Sequence, residues 1–226
     1  MLAIRGAAPG LLDEPLLLEV GGAPPGAPLT WRARIRDDDG FVWRASGATP
    51  DALAWAAAKP ASAGAIAALR SLRPVELDVR VEDEDGGGAS RTLTRSLLAD
   101  GVKARRWRDG GVAGTLYLPG EATGAGVILD ARAPSEPRDD SVPAADVAPP
   151  AAALLASRGV LAFVLARGDA DAVREQLARV PSAPPEIAVL DGVPVPAGVP
   201  AQAPADPVAW DALLRRLGAR PRRVAR

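Results

Sequence analysis

Two segments in the first half of the chain alternate apolar and polar residues over eight positions, and this alternation constrains the fold more than any other feature. In "LTWRARIR" (29–36) and "VELDVRVE" (75–82) every second residue is apolar, and charged or polar residues lie between. Because side chains point to alternate faces of a β-strand, each segment predicts a strand with one buried face. "DDDG" (37–40) and "DEDGGG" (83–88) follow with residues typical of tight turns.

After each turn the chain can return as a second strand. "FVWRAS" (41–46) and "SRTLTRSL" (90–97) follow the two turns, so we predict two hairpins. The alanine-rich segment 50–72 between them contains Pro60 and Gly64 and predicts a long crossing segment with helical turns. Short strands with regular turn signals predict a β-sandwich of about a hundred residues.

The second half shows a different pattern, in which apolar strands alternate with helices. "VLAFVLAR" (160–167) and "EIAVL" (186–190) are strand-like, whereas 149–159 and 169–180 predict helices, the first opened by proline and closed by glycine. Such alternation predicts a parallel sheet that helices cover. We therefore divide the chain into a β-sandwich domain, residues 1–108, and an α/β domain, residues 109–226.

The chain contains no histidine and no cysteine. This composition excludes a Ser-His-Asp or Cys-His catalytic group built within the chain, together with disulfides and thiolate metal sites. The acidic runs lack the twelve-residue ligand spacing of a calcium loop and are typical of hairpin turns. We predict no metal site and no cofactor.

Charge and hydropathy predict a soluble cytoplasmic protein. The formal net charge is −1, with 48% hydrophobic residues, which provides no general attraction to nucleic acid. Asp13 and Glu14 interrupt the apolar N-terminus before a secretory signal can form. Arg158 and Gly159 interrupt the longest apolar stretch, 148–166, so we predict no membrane helix. The five tryptophans are predicted core residues, namely Trp31, Trp43, Trp55, Trp107 and Trp210.

Several segments occur in an order that matches a known family. They are "LTWRARIRDDDGFVWRAS" (29–46), "SLRPVELDV" (71–79), "LADGVKARRWRDGGVAGTLYLPG" (98–120), "GVILDA" (126–131) and "LLASRGVLAFVLAR" (154–167). This order, over residues 13 to 190, resembles the acyl-CoA thioesterase and bile-acid-CoA:amino-acid N-acyltransferase family. The resemblance implies an N-terminal immunoglobulin-like β-sandwich and a C-terminal α/β-hydrolase domain. It also implies acyl-CoA as ligand, attacked at its thioester carbonyl by a serine or cysteine.

The nucleophile of that family lies on a sharp turn that follows a strand and reads glycine, any residue, nucleophile, any residue, glycine. Laid on "IAVLDGVPVPAG" (187–198), the pattern places Asp191 at the first glycine, Gly192 next and Val193 at the nucleophile. The following prolines oppose the helix that should begin there. Residues 194–226 are also too few to complete a hydrolase sheet. We predict a catalytically inactive family member with a degenerate elbow and an abbreviated hydrolase domain.

Three other interpretations stay open. In the first, the chain is an active acyl-CoA hydrolase that uses another site, such as Ser135 or Ser141 with a carboxylate, Lys59 or Lys103 as base, or that borrows residues from a partner chain. Alternatively, the sandwich edge or the proline-rich segment 181–207 binds a protein partner or a second copy of the chain. The last alternative is a remnant of a full-length enzyme.

The basic segment "VKARRWR" (102–108) also has two interpretations. Its arginines contact the phosphates of CoA or of a nucleic acid, or the segment is an interdomain strand with solvated arginines. The near-neutral charge of the chain favours the strand.

Overall fold

The fold was analysed in a computed structural model, which describes residues 2–6, 10–50, 53–57, 67–131, 144–180, 183–190, 196, 199–200 and 206–221. The described chain is mostly β-sheet with few helices. Its strands are β1 (Ala3–Gly6), β2 (Gly10–Leu11), β3 (Leu18–Gly21), β4 (Leu29–Arg36), β5 (Val42–Gly47), β6 (Ala54–Ala57), β7 (Val75–Asp83), β8 (Gly88–Ser96), β9 (Lys103–Asp109), β10 (Val112–Leu118), β11 (Ala125–Asp130), β12 (Leu161–Arg167) and β13 (Glu186–Leu190). Its helices are α1 (Ala144–Ser157), α2 (Ala170–Leu177) and α3 (Pro207–Arg216). None of the described helices is long and apolar enough to cross a bilayer.

A six-stranded sheet is formed in the order β2-β8-β7-β4-β5-β6. Strands β4 and β5 pair as an antiparallel hairpin, and so do β7 and β8, as the alternation predicts. The apolar side chains Trp31, Ile35, Val79 and Val81 are buried on one face, whereas the intervening positions are exposed. A separate two-stranded sheet pairs β1 with β3. Burial of one face holds the register of these strands, since a slip of one residue would expose the apolar set.

Asp37 organises the turn between β4 and β5. Its Oδ1 accepts hydrogen bonds from the backbone N–H groups of Asp39 and Phe41, at 3.1 and 2.8 Å. Its Oδ2 accepts one from Trp43 Nε1 at 3.0 Å and one from Ala68 N at 3.3 Å. The acidic turn is therefore a hairpin turn whose first carboxylate is buried. Within the described residues, no group of three His, Cys, Asp or Glu side chains could hold a metal.

The predicted crossing segment is partly a strand. Residues Ala54–Ala57 form β6 and pair antiparallel with β5, so the expected helical turns are wrong at this point. The free edge of β5 offers unpaired backbone groups, and pairing satisfies them where alanine propensity alone would favour a helix. Residues 58–66 lie outside the described part of the chain.

Strands β9 to β13 form a five-stranded sheet in the order β13-β11-β12-β10-β9. β11 pairs in parallel with β12 and with β13, and helices α1 and α2 connect these strands along the chain. The antiparallel strands β10 and β9 extend the sheet beyond β12. The change of sheet falls between Ser96 and Lys103, and the division at residues 108 and 109 stays a prediction.

Helix α1 begins before the prolines that were expected to open it. It extends from Ala144 to Ser157, so Pro149 and Pro150 lie inside it. Proline in a helix interior removes a backbone hydrogen bond and crowds the preceding turn. The segment after the prolines, Ala151–Ala156, is fully buried, and this burial stabilises a helix that local propensity opposes.

Buried polar contacts join the N-terminal segment to the α/β half. The Arg158 Nη2 atom lies 2.8 Å from Asp13 Oδ1, and the two side chains are 6% and 0% exposed. The other carboxylate oxygen of Asp13 accepts a hydrogen bond from Trp210 Nε1 at 3.0 Å. Glu14 lies beside them, between Arg158 and the buried Arg95. One apolar core cluster continues across this junction, because it includes buried residues of both large sheets.

Candidate functional site

The carboxyl ends of the parallel strands define the candidate site. β11 ends at Asp130, β12 at Arg167 and β13 at Leu190. Asp130 is paired with Leu165, and Leu129 with Leu190, so these ends meet at one edge of the sheet. Ligand sites of α/β proteins form at this edge, where loops leave parallel strands.

The predicted degenerate elbow begins directly after β13. The last residue of the strand, Leu190, is buried, and the next three positions are Asp191, Gly192 and Val193. These three residues lie outside the described part of the chain, as do Ser135, Ser141 and Lys59. The elbow assignment and the serine alternatives therefore stay predictions.

Lys103 lies at the opposite edge of the sheet. It opens β9 and is paired with Leu118 of β10, while the neighbouring Tyr117 is paired with Ala162 at the start of β12. The carboxyl end of β12 is five residues beyond Ala162, which is about 17 Å along a strand. Lys103 therefore lies level with the amino end of β12, whereas the candidate site lies at the carboxyl ends of the parallel strands. Whether Lys103 can act as a base for Ser135 or Ser141 stays a prediction, because both serines lie outside the described residues.

Two described polar side chains near the carboxyl edge, Asp169 and Gln176, form structural contacts. Asp169 caps α2, since its Oδ1 accepts a hydrogen bond from Ala172 N at 2.7 Å. Gln176 of α2 donates from Nε2 to the backbone oxygen of Asp109 at 2.9 Å and accepts from Trp107 Nε1 at 2.8 Å. These contacts attach α2 to the turn between β9 and β10. Among the described side chains at this edge, none forms a nucleophile and base pair.

The tryptophans mostly confirm the core prediction. Trp31, Trp43 and Trp210 are at most 4% exposed. Trp107 is half-buried, and its ring nitrogen is bound to Gln176. Strand β9 (Lys103–Asp109) includes most of the basic segment, and its basic side chains are exposed. The interdomain interpretation of this strand stays a prediction. Nothing is described of the Trp55 side chain.

Burial raises the pKa of the Tyr117 hydroxyl to about 12. An unfolded tyrosine ionises near pH 10, so folding favours the neutral phenol. The stabilisation is fully present below about pH 10 and is lost as the pH rises through about 12. Since the chain has one tyrosine, tyrosinate absorbance follows this group alone.

We expect the tyrosinate absorbance of the folded protein to rise with a midpoint close to pH 12. In the urea-unfolded protein the midpoint should be close to pH 10. Above pH 10, the wild type should lose stability faster than Tyr117→Phe does. Equal midpoints in the folded and unfolded protein would contradict the buried position of this side chain.

The buried ion pair is the feature that the sequence interpretation missed. In the sequence analysis, Asp13 and Glu14 were used only as evidence against a secretory signal. Arg158 was used only as evidence against a membrane helix. Charged residues inside apolar runs are a usable signal, because a fully buried charge is rare unless it is paired. The signal predicts a buried pair, whereas the partners, 145 residues apart, require the fold.

Comparison with known proteins places this chain near the acyl-CoA thioesterases. No protein-family model matches it. It is 31% identical to the rat protein Acyl-coenzyme A thioesterase 2, mitochondrial, over 52% of this chain and 32% of that protein. It is also 31% identical to rat Acyl-coenzyme A thioesterase 1, over 53% of this chain and 36% of that protein. The mouse protein Acyl-coenzyme A thioesterase 2, mitochondrial, is 31% identical over 48% of this chain and 30% of that protein.

The chain spans about a third of the length of the curated relatives that it matches. Over about half of its own length it is a distant relative of proteins named acyl-CoA thioesterases. This similarity supports the thioesterase side of the family resemblance.

Proposed function

We propose that the chain is a catalytically inactive member of the acyl-CoA thioesterase and bile-acid-CoA:amino-acid N-acyltransferase family, with acyl-CoA as its ligand. The similarity to rat and mouse acyl-CoA thioesterases supports the relationship. The absence of histidine and cysteine from the sequence, with valine at position 193, carries the proposal of inactivity.

The proposed architecture is an immunoglobulin-like domain followed by an α/β-hydrolase-like domain. The hairpins of β4 with β5 and of β7 with β8 support the first assignment, because paired antiparallel strands with one buried face build a sandwich. The parallel strands β11, β12 and β13 with their connecting helices support the second. In this proposal β13 is the strand that leads to the elbow, and Val193 occupies the nucleophile position.

The inactivity follows from the chemistry of thioester hydrolysis. In the family mechanism a serine or cysteine side chain attacks the carbonyl, and a base accepts its proton. The valine side chain has no atom that can attack, and the chain has no imidazole. The described lysine, Lys103, lies at the other edge of the sheet. The proposed protein binds an acyl-CoA without cleaving it.

The first experiment measures release of CoA thiol from acyl-CoA substrates of several chain lengths. Because the chain has no cysteine, a thiol reagent detects only released CoA, with no signal from the protein. We expect release no faster than the blank without protein. Binding should still be measurable by calorimetry with a thioether analogue of acyl-CoA, which cannot be hydrolysed.

Thiol release that rises in proportion to protein concentration would overturn the proposal. If Ser135→Ala or Ser141→Ala then abolished that release, the activity would belong to a site that the family pattern does not contain. Absence of any binding to the thioether analogue would contradict acyl-CoA as ligand.

A further inference from the structure

The outer face of the six-stranded sheet carries a concentration of arginines that the proposed function does not use. Two rows of side chains cross strands β5, β4, β7 and β8 on this face. In the register of the strands, the first row is Ser46, Arg32, Arg80 and Ser90, and the second is Arg44, Arg34, Asp78 and Thr92. We call these eight residues the arginine face.

Like charges stand directly opposite each other in both rows. Arg32 is paired with Arg80 across β4 and β7, and Arg34 with Arg44 across β4 and β5. Direct cross-strand pairs of like charge destabilise a sheet. This local arrangement conflicts with stability, and such conflicts are expected where residues serve a ligand.

The two pairs differ in how their charge is compensated. Arg32 and Arg80 both form ion pairs with Glu82, at 3.2 and 2.8 Å. Within the described part of the chain, neither Arg34 nor Arg44 forms an ion pair with a carboxylate. Asp78 stands opposite Arg34 in the register of β4 with β7, and its carboxylate accepts a hydrogen bond from Thr92 Oγ1 at 2.8 Å.

A depression of about 820 Å³ lies over the arginine face. Small-molecule sites usually have volumes of roughly 300 to 1,000 Å³, so the space fits a small ligand. Its charged lining is strongly basic, with Arg32, Arg34, Arg44, Arg80 and Arg91 against Asp78. This contrasts with the chain as a whole, whose formal net charge is −1.

The chemistry of the lining selects phosphate. Guanidinium groups bind phosphate oxygens through paired hydrogen bonds, and serine and threonine hydroxyls can donate further ones. The two arginine pairs are two residues apart along the strands, which is about 7 Å. The long arginine side chains of both pairs can converge over this distance on one ligand that carries two linked phosphates.

We propose that the arginine face binds the diphosphate group of a soluble small molecule, with Arg34 and Arg44 as its principal contacts. The site lies on the six-stranded sheet, away from the edge proposed for acyl-CoA chemistry. It does not depend on the thioesterase relationship.

The test is calorimetric titration of the full chain with inorganic pyrophosphate at fixed ionic strength, with sulfate as the reference anion. We expect saturable binding that the double variant Arg34→Gln/Arg44→Gln weakens by roughly tenfold or more, because two charge-assisted contacts are lost. The matched control is Arg106→Gln/Arg108→Gln, which removes the same charge from exposed positions of β9 and should bind like the wild type.

The Arg34→Gln/Arg44→Gln variant should also unfold at about the same temperature as the wild type, since the change removes both the like-charge pair and the opposite-charge pair of Arg34 with Asp78. This readout separates loss of a site from loss of the fold. Absence of pyrophosphate binding, or equal weakening in both double variants, would overturn the proposal. So would binding to anionic phospholipid vesicles that depends on Arg34 and Arg44 without pyrophosphate binding, because the partner would then be a membrane surface.

Discussion

Replacing Arg158 with methionine is expected to lower the free energy of unfolding by about 3 to 5 kcal/mol. The Arg158 side chain is 6% exposed and its Nη2 atom lies 2.8 Å from Asp13 Oδ1, on a carboxylate that is fully buried. Its Nη1 atom also donates to the backbone oxygen of Pro221 at 2.9 Å. Methionine fills a similar volume without the charge, so the buried carboxylate loses its compensating cation. Urea unfolding, with the midpoint and slope fitted together, measures the loss.

The matched control is Arg179→Met. Arg179 forms an ion pair with Glu175 at 2.7 Å, but the two side chains are 68% and 73% exposed. Exposed pairs of this kind contribute about 0.3 to 0.5 kcal/mol. Adding Asp13→Asn to Arg158→Met should recover part of the loss, because it removes the uncompensated negative charge. Equal effects of Arg158→Met and Arg179→Met would show that the buried pair does not hold the N-terminal segment to the α/β half.

Asp37→Ala is expected to lower the free energy of unfolding by roughly 3 kcal/mol or more. The carboxylate accepts four hydrogen bonds, and two of their donors, Trp43 Nε1 and Ala68 N, are buried. Without Asp37 these two donors lose their acceptor away from solvent, and each unsatisfied buried group costs about 1 to 3 kcal/mol.

The corresponding aspartate of the other hairpin provides the control. Asp83 is the last residue of β7, whereas Asp37 directly follows β4, and the Asp83 carboxylate accepts a hydrogen bond from Gly87 N at 2.6 Å in an exposed turn. Asp83→Ala should therefore cost about 1 kcal/mol, since water can replace the lost acceptor. If the two alanine variants were equally stable, the buried contacts of Asp37 would not determine the stability of its hairpin.

The hairpins were predictable because their signals are local. Alternation over 29–36 and 75–82 defines a buried face, and the acidic and glycine residues that follow define the turns. The N-cap of α2 at Asp169 is a local signal of the same kind. These features depend on residues within a few positions of each other.

The unpredicted features depend on residues that are distant in sequence. The strand β6 forms because β5 has a free edge, and α1 extends through two prolines because its end is buried under the sheet. In the same way, alternation identified the arginines of 29–36 as an exposed face. Only the register of β4 with β5 shows that Arg34 stands opposite Arg44.

The strand before the proposed elbow was predictable from the sequence, whereas the elbow itself stays a prediction. The sequence places an apolar strand before Asp191, and β13 ends at Leu190. The choice between Lys59 and Lys103 as a base could not be made from the sequence, because it depends on which edge of a sheet each occupies. Strand pairing places Lys103 at the edge opposite the carboxyl ends of β11 and β12.

The central claim of the proposal is that this relative of acyl-CoA thioesterases, whose sequence has no histidine and no cysteine, does not cleave acyl-CoA. The most direct measurement compares CoA thiol release by this chain with release by rat Acyl-coenzyme A thioesterase 1 at equal molar concentration and with the same substrates. The account predicts that the rat protein releases thiol and that this chain matches the blank without protein. Steady release by this chain, proportional to its concentration and lost on heat denaturation, would contradict the account.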